Sequence, residues 1–231
     1  MRPGKETPQV KSVAGKKVKS WEELVNDGAN YGDTEYSPTE KILVECIKNK
    51  TVLKIQDSFL FSKTGDIPDP EHGKKLAQAI ASFEPLKNIT SLIITHNALG
   101  AAGMKCLAES TILTQLESLH LGSNKLADAG AKILAETRQF CGVKDLNLEC
   151  NAIEAEGAKA LARSPYLTRL THLNLVDNRI GDAGALAIAA SSNFKNLVYL
   201  HLGGNRIQSE EAKKALRQSP NLPRLETLKI F

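Results

Sequence analysis

Three histidines and two carboxylates stand at related positions in the second half of the sequence and could do chemistry. They are His120, Asp145, Glu149, His172 and His201. Imidazole and carboxylate groups bind metals and exchange protons, so the set prompts a search for a metal site or an acid–base pair. If the segments are strands of one sheet, His172 and His201 lie on a diagonal of roughly 7 Å, and no nucleophile with an adjacent base emerges. We therefore predict no catalytic residue, no metal site and no cofactor.

The elements that position these residues repeat along the chain. The phrases LHLGSNKLADAG, LNLECNAIEAEG and LNLVDNRIGDAG align on asparagines spaced 27 residues apart without insertion. The aligned asparagines are Asn97, Asn124, Asn151, Asn178 and Asn205. An internal period between about 20 and 29 residues, built on L-x-x-L-x-L-x-x-N, is typical of leucine-rich repeats, in which each unit supplies a strand and a return element.

The aligned columns predict one strand and one helix in each unit. Leucine or isoleucine fills the positions five and three residues before each asparagine, which is the spacing of a strand with one buried face. Ten residues after the asparagine comes leucine or isoleucine, followed by alanine, and this predicts a return helix with an apolar stripe. The asparagines are predicted to be structural, because a buried amide both donates to and accepts from unpaired backbone groups. We expect the loss of one asparagine to cost about 1–3 kcal/mol.

The two ends of the chain depart from the period. Residues 1–19 are predicted to be a disordered basic tail and residues 20–50 an N-terminal helical cap, followed by a repeat domain over residues 51–231 with regular 27-residue units from about residue 86. The first unit carries 12 surplus residues, predicted to form a loop in FSKTGDIPDPEH at 61–72. In the last unit Glu211 replaces the expected glycine, and the final strand arrives one residue late.

The unit L-x-x-L-x-L-x-x-N-x-[LI]-x-x-x-G-x-x-x-L-A, clearest in THLNLVDNRIGDAGALAIA, resembles the ribonuclease-inhibitor-like class of leucine-rich repeats. The resemblance covers about residues 50–231. It implies an α/β fold, a right-handed solenoid or horseshoe with a parallel concave sheet of about seven strands and α-helices on the convex side. Proteins with similar repeats include the Ran GTPase-activating protein and effectors that bacteria inject into host cells.

Composition and charge argue against several classes of protein. No stretch approaches the roughly 18 apolar residues of a membrane span, and the polar first thirty residues lack the apolar segment of a secretory signal. Residues 1–20 carry a net charge of +5, so the other 211 residues sum to −1. We expect no specific nucleic-acid binding, while weak contact of the tail with anionic surfaces stays open. The four cysteines lack metal-ligand spacing and fit a reducing, cytoplasmic compartment, with Cys106 and Cys150 packed as small apolar residues.

The positions that alternate with the buried leucines vary from unit to unit, whereas the buried columns are nearly uniform. Such variation on a fixed scaffold favours a binding face. We therefore predict a non-catalytic module that binds a protein partner through the concave face. The predicted binding residues are His120, Asp145, Asn147, Glu149, His172, Asn174, Tyr199 and His201. The resemblance leaves two alternatives open, namely a modulator of an enzyme such as a small GTPase and an injected bacterial effector that acts in a host cytosol.

Overall fold

The computed structural model describes residues 10–11, 17–18, 51–56 and 71–231. Near the N-terminus, the two-residue strands β1 (Val10–Lys11) and β2 (Lys17–Val18) pair antiparallel, a pairing that the sequence did not predict. The predicted helical cap at 20–50 and most of the predicted loop at 61–72 lie outside the described residues. The division of the chain into tail, cap and repeat domain therefore stays a prediction.

Seven parallel strands form one open sheet in chain order. They are β3 (Val52–Gln56), β4 (Ser91–Thr95), β5 (Ser118–His120), β6 (Asp145–Asn147), β7 (His172–Asn174), β8 (Tyr199–His201) and β9 (Thr227–Lys229). Between β4 and β8 each residue pairs with the residue 27 positions further on, as Leu119 does with Leu146. The offset is 39 between β3 and β4 and 28 between β8 and β9. These offsets confirm the 12-residue surplus and the late final strand.

Six helices in the described residues return the chain from one strand to the next. They are α1 (His72–Ser82), α2 (Gly100–Ala108), α3 (Ala127–Glu136), α4 (Ala155–Arg163), α5 (Gly181–Ala189) and α6 (Glu210–Arg217). The buried stripe of α4 is Gly157, Ala158, Leu161 and Ala162, and α3 and α5 repeat it with equivalent residues. Small residues in this stripe let neighbouring helices pack closely. A return helix in each unit is what the columns predicted.

One continuous aliphatic layer lies between the sheet and the helices. Its central column is fully buried and consists of Leu92, Leu119, Leu146, Leu173 and Leu200. The residues on either side of each of these leucines are half-buried or exposed, because consecutive side chains of a strand point to opposite faces. This alternation leaves the other side of the sheet available for the candidate site.

The asparagines form a hydrogen-bonded ladder in which each side chain serves its own unit and the preceding one. All five are at most 3% exposed. The Oδ1 of Asn151 accepts from the backbone N–H groups of Asn124 (3.0 Å) and Leu126 (3.3 Å) in the preceding unit. Its Nδ2 donates to the carbonyl of Leu121 (2.8 Å) there and to two carbonyls of its own unit. The predicted dual role of the amide is confirmed, and the partners explain why aspartate does not replace it.

A second hydrogen-bonded ladder, which was not among the predicted columns, joins the ends of the helices. In four units a serine donates its hydroxyl to an alanine carbonyl near the end of the helix of the preceding unit, and accepts a backbone N–H two or three residues further along. The serines are Ser110, Ser164, Ser191 and Ser219, which donate to Ala81, Ala135, Ala162 and Ala189 respectively. Ser191 follows the asparagine of its unit by 13 residues, whereas Ser219 follows Asn205 by 14. The extra residue of the last unit therefore lies between Asn205 and Ser219.

Replacing Ser164 with alanine should lower the free energy of unfolding by about 1–2 kcal/mol, because a buried carbonyl and two backbone N–H groups lose their partner. Urea denaturation followed by circular dichroism measures the loss. Ser192 is exposed, so Ser192→Ala is the matched control and should change stability by less than about 0.5 kcal/mol. Equal losses in the two variants would contradict a structural role for the serine ladder.

Candidate functional site

The eight predicted binding residues lie on or directly after four adjacent strands, and the structure separates them into contacting groups. His120 and Asp145 form one group, Asn174 and Glu149 a second, and His172, Tyr199 and His201 a third. Asn147 stays on its own strand, where its Oδ1 accepts from the backbone N–H of Glu149 at 2.9 Å. The prediction placed these residues on one face, but it did not anticipate their pairing across strands.

The first group brings a hydroxyl, an imidazole and a carboxylate together on β5 and β6. The Nε2 of His120 lies 2.8 Å from Asp145 Oδ2 and 3.3 Å from Ser118 Oγ. A nucleophile–base–acid triad needs the hydroxyl and the carboxylate on different ring nitrogens, so that the carboxylate orients the base while the hydroxyl gives up its proton. Here both contact the same nitrogen. The contact between His120 and Asp145 is therefore that of an ion pair, and the Ser118 hydroxyl is not placed as an activated nucleophile.

The Asp145 carboxyl responds to this contact. The hydrogen bond from His120 holds the pKa of Asp145 below its ordinary value, although partial burial acts in the opposite direction. Because the pKa of Asp145 is lower in the folded state, its carboxylate stabilises the folded protein at pH values above the ordinary carboxyl pKa of about 3.9. This contribution is lost as the pH falls through the folded-state pKa. The contact is therefore intact at neutral pH.

Replacing His120 with alanine should raise the pKa of Asp145 toward the ordinary carboxyl range, because the main cause of the lowering is removed. An NMR titration of the Asp145 side-chain carboxyl in the two proteins measures the change. Asn147→Ala serves as a control, since Asn147 bonds to the Glu149 backbone instead. An unchanged midpoint in the His120 variant would show that the imidazole is not the cause.

The second group fixes the position of a carboxylate at the end of β6. The Nδ2 of Asn174 donates to Glu149 Oε2 at 2.9 Å, and the Oδ1 of the same amide accepts from the Val176 N–H at 3.1 Å. Because both ends of the Asn174 amide are bonded, its side chain has one orientation. Glu149 is thereby held by a neutral donor.

The third group is a row of aromatic rings that runs across β7, β8 and the segment after β9. His172 stacks on Tyr199 at 5.9 Å between ring centroids, Tyr199 meets His201 edge-on at 6.2 Å, and His201 contacts the ring of Phe231 at 5.4 Å. Phe231 is 85% exposed. We call these four residues the aromatic row.

Two residues of this region, Phe231 and Lys229, were not among the predicted binding residues. The ammonium of Lys229 lies 5.5 Å from the centroid of the Tyr199 ring. The late final strand was a usable signal, because an offset of 28 residues places Phe231 opposite Gly203 and Lys229 opposite His201.

The imidazole of His201 lies between the rings of Tyr199 and Phe231. Its Nε2 is buried without a hydrogen-bond partner, and its Nδ1 lies 3.5 Å from the Tyr199 hydroxyl. Burial, followed by the nearby charge of Lys229, lowers the pKa of His201, whereas Asp177 and Glu149 act in the opposite direction. The ring is therefore neutral at neutral pH and contributes to the row as an aromatic surface.

The observed architecture agrees with a comparison against protein-family models. The model described as Leucine Rich repeat matches four segments, residues 86–108, 113–135, 143–162 and 166–189. Each segment contains the buried leucine or isoleucine positions of one predicted unit. The strands of these units pair with an offset of 27 residues, which is the length of the repeat. The fold is a leucine-rich repeat solenoid.

A search of curated proteins finds no match. Among solved structures, an internalin (InlF) from Listeria monocytogenes is similar at 22% sequence identity and a TM-score of 0.44. The match covers 64% of this chain and 37% of the internalin chain, so this chain spans well under half of that protein's length.

Within the described residues no group of three or more metal-binding side chains comes together, and no helix is long and apolar enough to cross a membrane. Cys106, Cys141 and Cys150 are free thiols. The prediction that Cys150 packs as a buried residue is wrong: it lies exposed beside the turn asparagine, at a position with a backbone φ of 53°.

Proposed function

We propose that the protein is a non-catalytic interaction module that binds a protein partner through the concave sheet face, centred on the aromatic row. The observation that carries this proposal is the row itself. Four ring side chains from neighbouring strands touch in sequence, and the last of them is 85% exposed. Aromatic side chains supply large, rigid contact areas and are enriched among residues that dominate interface energies.

The rings of the aromatic row take no part in the contacts that hold the repeat units together. The aliphatic layer and the two ladders that hold the units together involve the opposite side of the strands, the turns and the helix ends. The row residues are therefore not required by the repeat, and neighbouring strands carry different residues at the same positions. A polar half borders the aromatic half and consists of Asp145 and Asn147 on β6 and of Glu149, which follows β6.

Replacing Tyr199 with alanine should weaken partner binding by about 30-fold or more, or roughly 2 kcal/mol, because Tyr199 contacts both neighbouring rings. A partner is first captured from cell lysate and identified by mass spectrometry, and its dissociation constant is then measured by calorimetry. Tyr166→Ala is the matched control, since Tyr166 precedes β7 and lies outside the concave face. Its affinity should equal that of the unaltered protein.

The thermal unfolding midpoint of Tyr199→Ala should stay close to that of the unaltered protein, which separates a binding loss from unfolding. If no substitution in the aromatic row or on β6 changed the affinity, the concave face would not be the binding surface. The finer hypotheses, namely the ribonuclease-inhibitor-like subclass, modulation of a small GTPase, an effector role and a cytoplasmic location, remain proposals that rest on the sequence resemblance and composition.

A further inference from the structure

Most carboxylates with ion-pair contacts in the described residues face lysine or arginine. Eight such glutamates are Glu71, Glu84, Glu109, Glu117, Glu136, Glu154, Glu156 and Glu210. Among the described residues, six further carboxylates have no lysine or arginine at ion-pair distance, namely Asp128, Glu149, Asp177, Asp182, Glu211 and Glu226. Two of these, Glu149 and Asp177, lie at the rim where β6 and β7 end, and each accepts from a neutral donor there.

Glu149 and Asp177 each lie against a glycine of a neighbouring unit, where the absence of a side chain leaves space. The Glu149 side chain bends toward Gly122, where an added Cβ would stand 3.1 Å from Glu149 Oε1. Asp177 Oδ2 accepts from the Cys150 thiol at 3.9 Å, and its Oδ1 lies against the Cα of Gly204, where an added Cβ would clash with it. Although Cys150 is exposed, partial desolvation of its thiol raises the pKa of Cys150, a hydrogen bond from Ser123 lowers it, and the charges of Asp177 and Glu149 raise it.

An apolar surface adjoins the carboxylates on the side of β9. The ring of Phe231 covers Gly203, where an added Cβ would stand 2.9 Å from Phe231 Cε2. The half-buried Val176 lies between the position of Glu149 and that of Gly203 in the same row of the face. Carboxylates with orienting partners and an exposed phenyl ring thus border one corner of the concave face.

We propose that this corner receives a lysine or arginine side chain of a protein partner that also carries an apolar residue beside it. The cation lies between Glu149 and Asp177, and the aliphatic stem and the apolar neighbour lie on Val176 and Phe231. Charge complementarity selects this partner, because the half-buried Glu149 and the exposed Asp177 have only neutral donors, and a charge-assisted hydrogen bond is stronger than a neutral one. The inference rests on the proposed function and names the partner chemistry of that same face.

The test selects random peptides displayed on phage against the full chain and then measures the dissociation constants of the synthetic peptides recovered. We expect enrichment of lysine or arginine next to an aromatic or aliphatic residue. The double variant Glu149→Gln/Asp177→Asn should weaken binding of those peptides at least about tenfold. Glutamine keeps the acceptor for Asn174, and asparagine tolerates the left-handed backbone of Asp177, whose φ is 52°.

Glu156→Gln/Glu210→Gln is the matched control, because it removes the same charge from exposed helix positions and should change affinity by less than about twofold. Raising the salt from about 0.05 M to about 0.5 M should weaken binding to the unaltered chain and have little effect on the Glu149/Asp177 variant. Peptides that lose affinity in Tyr199→Ala but bind the Glu149/Asp177 variant normally would overturn this inference and leave the proposed function standing. Peptides that bind regardless of Tyr199 and of both carboxylates would contradict both.

Discussion

Replacing Asn151 with alanine should lower the free energy of unfolding by roughly 3–5 kcal/mol. The sequence alone suggested a smaller loss, but the structure shows five hydrogen bonds from this one buried side chain. Their loss leaves two backbone N–H groups and the Leu121 carbonyl without a partner in the interior, while the carbonyls of Leu148 and Glu149 each lose one of two donors. Chemical denaturation monitored by circular dichroism measures the change.

Asn147→Ala is a matched control on the same strand, because the Asn147 side chain is half-buried and accepts from one N–H. It should cost about 1 kcal/mol or less. Hydrogen exchange gives a second measurement, since the amide of Asn124 bonds to Asn151 Oδ1 and should exchange much faster in the Asn151 variant. Equal stabilities of the two alanine variants would contradict the ladder as a principal stabilising feature.

Gly184→Ala should lower the free energy of unfolding by about 2–3 kcal/mol, because the added methyl group overpacks the contact between α4 and α5. It would clash with Ile180 Cγ2 and stand 3.0 Å from Ala158 Cβ and 3.4 Å from Ala155 Cα. In the last unit Glu211 is exposed and Ala212 is buried instead, and a groove of about 600 Å³ lies between α5 and α6. Gly184 itself leaves the space in which α4 and α5 approach each other closely.

Gly181→Ala is a control in the same helix, because it adds a methyl group that changes the backbone energy but makes no close packing contact. No atom lies within 4 Å of a Cβ added there, but the backbone φ of 61° disfavours an L-residue. Its expected cost is about 1 kcal/mol, from the backbone alone. The same denaturation measurement compares the two variants, and a Gly184→Ala loss no larger than that of Gly181→Ala would argue against close helix packing at this column.

Much of the candidate site was predictable from spacing. The columns placed His172, Tyr199 and His201 on adjacent strands of one face, because the side-chain period of a strand is two residues whatever its neighbours are. Spacing did not reveal that His120 pairs with Asp145, since that contact depends on rotamers chosen between strands 25 residues apart in sequence. It also missed Phe231, whose place on the face depends on the shifted register of β9.

The sequence by itself determined the layers of this protein: the strand and helix of each unit, the buried leucines, the asparagine at the turn and the positions where the period changes. These features follow from local periodicity and from the need to bury apolar side chains, which each unit expresses within its own 27 residues. The tertiary structure alone decided which polar groups meet, including the serine ladder, the orientation of Glu149 by Asn174 and the contacts of the aromatic row. Hydrogen bonds and ring contacts between units need specific distances and orientations, and those exist only after the units have stacked.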